Sequence, residues 1–372
     1  MTLTGKRLAT ATLPPAVLAL LLALAEVFFR VVLPAPDVPA LAFVDGVLRR
    51  QSGQTGVYRD RDASAPFSIN AQGWNSAHPD YPTGRGSALR IALVGGSLVE
   101  ALEVPPQASL AGDLERELAA LPDGAEVFRY GLDGAPLSQH LLMARKAALA
   151  AHPQLLIALL SPEDIPASHR PNTGPLSAHF LKLRLGAEDT VEELPPTPYA
   201  PAFAERIRQG SAFLRYLTGP EGLRPALAER LLRKPRADRR YEAAASATAP
   251  AMGPEEQQAL DRRAVRYVLG QLQAQAAAAG ARLLVVMDGA RAEIEARAGV
   301  AELAQALELN RMAAAEAELL GIPFLDLQDA FAEDFRQHGK PFGFHPDSCW
   351  NAYGHAVAAG AVADRLARLG WL

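Results

Sequence analysis

The chain has 372 residues, about half of them apolar, which suits one large domain or two smaller ones with a sizeable core. A net charge of −4 gives no basic face for a nucleic acid partner. The single cysteine, Cys349, excludes an internal disulfide and a multi-cysteine zinc site; no residue cluster has metal-ligand spacing, and no cofactor is expected.

Lys6 and Arg7 precede a charge-free stretch from Leu8 to Ala25. As a helix it would span about 27 Å, close to the hydrocarbon core of a bilayer. Glu26 and Arg30 follow, with apolar Val31, Val32 and Leu33 behind them. Two basic residues ahead of the stretch favour a cytoplasmic N-terminus and an exported remainder. The expectation is therefore a single-pass anchor in the cell (inner) membrane, with membrane contact through residues 8–33 and the C-terminal domain extracytoplasmic or periplasmic. The competing reading is a cleaved signal peptide, with Ala40-Leu41-Ala42 as a loose cleavage signal.

Residues 1–34 are read as the anchor and 35–87, rich in Pro, Gly, Asp and Ser, as a stalk and irregular lead-in. Residues 88–372 follow an alternating β/α pattern. Ile91–Val94 is a short apolar strand ending in Gly95-Gly96, and Leu110–Leu121 has helical spacing. Glu126–Tyr130 is a second strand, Leu141–Ala151 a helix and Leu155–Leu160 a third strand. From about 166 to 254 the rhythm breaks into proline-rich pieces, with short helices at Phe203–Gln209 and Ala226–Leu232. This is read as an insertion over the sheet's loops. A helix through Leu260–Leu272, a strand at Leu283–Met287, a helix at Val300–Leu320, a strand at Ile322–Asp326 and a last helix at Ala352–Leu369 complete the pattern. Five strands joined by helices imply an α/β doubly wound parallel sheet, whose functional residues belong just after strand ends.

Such residues stand there. Gly95-Gly96-Ser97 follows the first strand, and a tight strand-to-helix turn would expose the hydroxyl beside backbone N–H donors. The plain alternative is a helix-capping serine. The second strand ends in Tyr130-Gly131-Leu132-Asp133, and the third in Ser161-Pro162-Glu163-Asp164. Phe344-His345-Pro346-Asp347-Ser348-Cys349-Trp350-Asn351 opens the last helix. These four blocks, in this order at strand ends, resemble the SGNH/GDSL hydrolases; Ile69-Asn70-Ala71-Gln72-Gly73-Trp74 is similar to the lead-in of membrane-anchored members. The resemblance implies a three-layer sheet of flavodoxin-like order. It places Ser97 at the nucleophile, Gly131 and the Ser97 N–H at two oxyanion donors, Glu163 at a third donor normally an asparagine, Asp347 at the triad carboxylate and Cys349 at the histidine.

Three of these positions depart from the family. Gly96 replaces an aspartate, Glu163 an amide donor and Cys349 the general base. An ionised carboxylate donates no hydrogen bond, and losing one oxyanion donor costs about 2.7–4 kcal/mol. His345 is the substitute base to consider; His355 is read as a helix-surface residue, His140 as structural, and Cys349 as a small buried filler. Two functions follow from the resemblance. One is an esterase or acyltransferase acting on acyl (acetyl) esters, with cell-surface polysaccharide as a substrate class. The alternative is an inert domain that binds a glycan or an assembly partner.

Overall fold

The computed structural model describes residues 15–33, 35–60, 62–84, 86–170, 174, 176–187, 190–218, 253–344 and 349–372. These fall into two units, one made of residues up to Asp37 with those from Ala202 to Thr218, the other of Val38–Pro201 with those from Gly253 onward.

The first unit contains a 17-residue helix, Pro15–Val31, and two short helices, Phe203–Gly210 and Ala212–Thr218. Among the described residues no helix is long and apolar enough to cross a membrane. Lys6, Arg7 and the upstream part of the charge-free stretch lie outside the described residues, as does Ala226–Leu232.

The second unit opens with two antiparallel hairpins in the segment expected to be irregular: β1 (Leu41–Val44) with β2 (Val47–Arg50), and β3 (Thr55–Arg59) with β4 (Ser64–Ser68). Asp45 and Gly46 both take positive φ between β1 and β2, the backbone that a two-residue hairpin turn requires. The central sheet follows: β5 (Leu89–Gly95), β6 (Ala125–Gly131) and β7 (Leu155–Leu160). After a third hairpin, β8 (Lys182–Leu185) with β9 (Val191–Leu194), come β10 (Arg282–Met287) and β11 (Phe324–Asp326). The sheet order is β11-β10-β7-β5-β6, and every pairing is parallel. This is the flavodoxin-like order, with all five expected strands in place.

Alternation within each strand makes two cores. Ala92, Val94, Phe128, Tyr130, Leu156, Ala158 and Val285 point to one face and pack with helices Leu137–Lys146, Pro254–Ala278 and Glu308–Leu319. Ile91, Leu93, Val127, Leu155, Ile157 and Leu284 point to the other and pack with helices Leu110–Glu117 and Ala352–Arg368. Burial on both faces explains why these strands read as continuous apolar runs.

The described part of the insertion departs from the expectation of a cover over the loops. The β8–β9 hairpin packs on the side of the sheet, where Arg145 of helix Leu137–Lys146 pairs with Glu193 at 2.7 Å and the Tyr267 hydroxyl donates to Glu193 at 3.0 Å. The helix expected over Val300–Leu320 breaks at Leu307 into Val300–Ala306 and Glu308–Leu319.

Gly354 begins the last helix against the carbonyl of Phe342, which would stand 2.3 Å from an added Cβ. Gly354→Ala should therefore lower the urea midpoint, with a stability loss of about 1–3 kcal/mol. Gly270→Ala, in helix Pro254–Ala278 with nothing near an added Cβ, should raise it by about 0.5–1 kcal/mol.

Candidate active site at the sheet's carboxyl end

Ser97 heads a one-turn helix, Ser97–Glu100, straight after β5. Gly96 O accepts from Val99 N and Glu100 N, and Ser97 O accepts from Ala101 N at 2.7 Å. Two glycines allow this turn to sit where it does. A Cβ on Gly95 would meet Val99 Cγ2 at 2.4 Å, and one on Gly131 would meet Glu100 N at 2.3 Å. The end of β6 thus lies against the backbone of the serine turn, which brings Gly131 and Ser97 together. Ala101 closes the turn with φ of 45°, a left-handed backbone that costs an L residue about 1–3 kcal/mol and is held by its surroundings.

The holding groups are visible. The Glu100 carboxylate, 2% exposed, accepts from Arg50 Nε at 2.6 Å and from the Asp133 N–H at 2.7 Å. Asn75 Nδ2 donates to the carbonyls of Glu100 and Ala101 at 2.9 and 3.2 Å. Asn75 is placed by its own loop, in which Asn70 Oδ1 takes the N–H of Gln72 and Trp74. Trp74 in turn packs edge-on to Tyr130 at 5.4 Å. The lead-in segment therefore grips the turn that carries Ser97.

The final block is fixed with equal care. Trp350, fully buried, donates its indole N–H to Asp288 at 3.1 Å, and Asp288 also pairs with Arg291 at 2.9 Å. The Phe344 N–H donates to Cys349 O, and Asn351 caps the last helix by accepting from Gly354 N. Cys349 is thereby aimed at the serine turn, its side chain within hydrogen-bonding reach of Ser97 and Glu103. Burial first, and then the charge of Glu103, push the thiol up, so it stays protonated. Asp347 and His345 lie outside the described residues.

Glu103 is the site residue that sequence reasoning missed. Burial pushes its carboxyl up from the ordinary 4.5 to about 7, and the neighbouring Glu100 and Asp133 add to this. Tyr58 of β3 is close enough to feel this carboxyl; burial and then the charge of Glu103 raise its phenol. Only the spacing Ser97–x5–Glu103 could have suggested Glu103, and that is too weak to stand out.

Glu163 sits at the end of β7 as the residue before helix Asp164–Ala167. Its carboxylate turns back to its own N–H; desolvation and Asp288 raise its pKa, while Arg291 opposes them. Asp164 accepts from the Ser161 N–H at 2.8 Å and lies 3.6 Å from where a Cβ on Gly96 would stand. An aspartate at 96 would face a second carboxylate, which explains the glycine there. His355 differs from its expected surface position: it is 1% exposed, with Nδ1 accepting the Leu110 N–H at 3.1 Å and its ring edge-on to Trp350. Burial, with Arg129 and Arg291, lowers its pKa to about 3, so it is a neutral core residue. His140 is fully buried in helix Leu137–Lys146, and burial lowers it to about 4. Among the described residues no group of His, Cys, Asp or Glu could hold a metal ion.

Two outcomes test this geometry. Arg50→Ala leaves Glu100 buried without its cation and should cost about 3–5 kcal/mol in denaturant unfolding. The second concerns pH. The folded-state pKa of Glu103 lies above its unfolded value, so the folded state holds an extra proton between pH 4.5 and about 7. That contribution is present below pH 4.5 and is lost as pH rises through 7; Glu103→Gln should flatten this decline in a stability–pH curve.

A family described as "SGNH hydrolase-like domain, acetyltransferase AlgX" matches residues 248–371, a range that takes in β10, β11 and the Cys349 block but not Ser97. No curated protein matches the chain. Solved structures that the chain matches include LAE5, an α/β hydrolase enzyme from the metagenome of Lake Arreo, at 14% identity and TM-score 0.41, covering 78% of this chain and 98% of that one. A catalytic mutant of Axe2, an acetylxylan esterase from Geobacillus stearothermophilus, follows at 13% identity and TM-score 0.41, covering 76% and 95%. A lipase/acylhydrolase from Enterococcus faecalis stands at 11% and 0.39, covering 74% and 94%. Over residues 248–371 the chain is therefore similar to an SGNH hydrolase-like domain, in keeping with the resemblance of the four strand-end blocks.

Proposed function

We propose that the protein is an esterase or acyltransferase for acetyl esters, with Ser97 as nucleophile. The observation that carries this is the meeting of the Ser97 turn, the Gly131 strand end and the residue-349 side chain at one end of the sheet. Ser97 Oγ would attack the ester carbonyl and form an acyl-enzyme, and water or an acceptor hydroxyl would then take the acyl group. The N–H groups of Ser97 and Gly131 are the assigned oxyanion donors. Cys349 keeps its proton and cannot serve as base, so the proton acceptor is Glu103 or His345. A carboxyl near pKa 7 is matched to that task.

The matched family's description names an acetyltransferase, which supports acetyl as the cargo. Burial first, and then Glu163, Asp288 and Asp133, raise the carboxyl of Asp164, so several carboxyl groups gather at this end of the sheet. A gathering of carboxylates repels anionic substrates and favours an acetylated neutral glycan. We further propose that residues 8–33 anchor the chain in the cell membrane with the SGNH unit outside. A second reading, an inert domain that binds a glycan or a partner, is favoured by the residues at two positions that the resemblance assigns to the third oxyanion donor and the base: Glu163, a carboxyl, and Cys349, whose thiol keeps its proton.

Hydrolysis of p-nitrophenyl acetate by the full chain separates the two. Ser97→Ala should abolish turnover, and kcat/KM should rise with pH through about 7. Loss on Glu103→Gln but not on His345→Ala identifies Glu103 as base; the opposite pattern identifies His345. Glu163→Asn should raise kcat about 10²-fold, the worth of one oxyanion donor. Turnover indifferent to Ser97→Ala would overturn the enzyme reading.

A further inference from the structure

We infer that residues 203–218 form a collar that rests on the lipid headgroups and holds the N-terminal helix in the mature protein. The inference rests on the anchor reading above and goes beyond it, since it assigns a membrane-facing role to part of the insertion.

Its basis is the use made of Glu26. This carboxylate, on an otherwise apolar helix, accepts from Ser211 Oγ at 2.8 Å, Ala212 N at 2.9 Å and Phe213 N at 3.1 Å, and from Arg30 Nε at 2.7 Å. Arg30 also donates to Gly210 O at 2.9 Å. Phe29 stacks on Tyr216 with centroids 4.3 Å apart and touches Phe213 at 5.7 Å. Just past the helix, Arg215 donates to Pro36 O at 3.2 Å and to Asp37 at 3.1 Å. Both charged residues that follow the charge-free stretch are thus spent on chain some 180 residues away. Removal of the first 42 residues as a signal peptide would strip the Ala212 and Phe213 N–H groups of their acceptor and Tyr216 of its stacking partner.

Upstream of these contacts, none of the described residues covers the helix. Leu20, Leu21 and Leu22, three successive residues that point in three directions, are all about half exposed. An apolar helix left uncovered by the described residues suits hydrocarbon around it. The contacts with Glu26 and Arg30 begin where the charge-free stretch ends at Ala25, so the collar sits at the level of the headgroups. Phe203 and Ile207, one helical turn apart, present a single apolar face and are 78% and 46% exposed. The Glu205–Arg208 pair lies on the same short helix. An apolar edge beside charged residues is the pattern of an interfacial helix.

The experiment uses the full chain with Cys349→Ala, reconstituted in vesicles of phosphatidylethanolamine and phosphatidylglycerol. Single spin labels are placed through Phe203→Cys, Ile207→Cys and Arg206→Cys. The labels at 203 and 207 should be accessible to oxygen and shielded from a water-soluble nickel complex, and the label at 206 should show the reverse. In a second arm, intact-mass analysis of the protein made in cells should find the N-terminal residues present, and a Phe29→Cys, Tyr216→Cys pair should form a disulfide in the membrane. A mature N-terminus beyond Leu33 would overturn the anchor reading itself. An intact N-terminus with all three labels on the water side would overturn the collar and leave the anchor standing.

Discussion

The Glu100 carboxylate joins three segments that are far apart in the chain. One oxygen holds Arg50 at the end of the β1–β2 hairpin, and the other takes the N–H of Asp133 just after β6. Glu100 itself is the last residue of the helix that Ser97 begins. A buried charge is tolerable only when paired and hydrogen-bonded, and here both oxygens are satisfied. The serine turn, the end of β6 and the lead-in are therefore held as one body. The left-handed backbone at Ala101 persists because Asn75 and Glu100 surround it.

This support bears on the family departures. Gly96 removes a side chain that would meet Asp164, and the turn keeps its shape through Glu100 and Asn75 instead. Cys349, which the resemblance sets at the histidine position, is held in place because Trp350 is tied to Asp288 and Asn351 caps the last helix. What changes is the chemistry. A thiol raised by burial cannot accept the serine's proton, and Glu103, which the Cys349 side chain also reaches, is a carboxyl that burial pushes up to about 7. On the proposed reading, the strand ends and the serine turn keep the geometry that the resemblance implies, while the proton acceptor differs.

Much of the fold was legible because buried parallel strands are uninterrupted apolar runs, and β7 is apolar throughout. The positions of Ser97, Gly131 and Glu163 followed from where those runs end. The hairpins were not read from a proline- and glycine-rich segment, although Asp45-Gly46 is a recognised hairpin turn. His355 was assigned to the surface, yet Ala358, Ala359 and Val362 on its side of the helix mark the inward face. Arg50 with Glu100, and Cys349 with Glu103, are pairings made by the tertiary fold; no local pattern announces them. The same holds for Glu26, whose carboxylate takes the Ala212 and Phe213 N–H groups of a helix some 186 residues away.

The central claim is that Ser97 is the nucleophile of an intact site. Labelling the full chain with a fluorophosphonate and mapping the modified peptide by mass spectrometry tests it most directly. The account predicts a single phosphonylated residue, Ser97, whose labelling is lost in Glu103→Gln or His345→Ala but kept in Cys349→Ala. A chain that takes no label, or that carries it only on another residue, would contradict it.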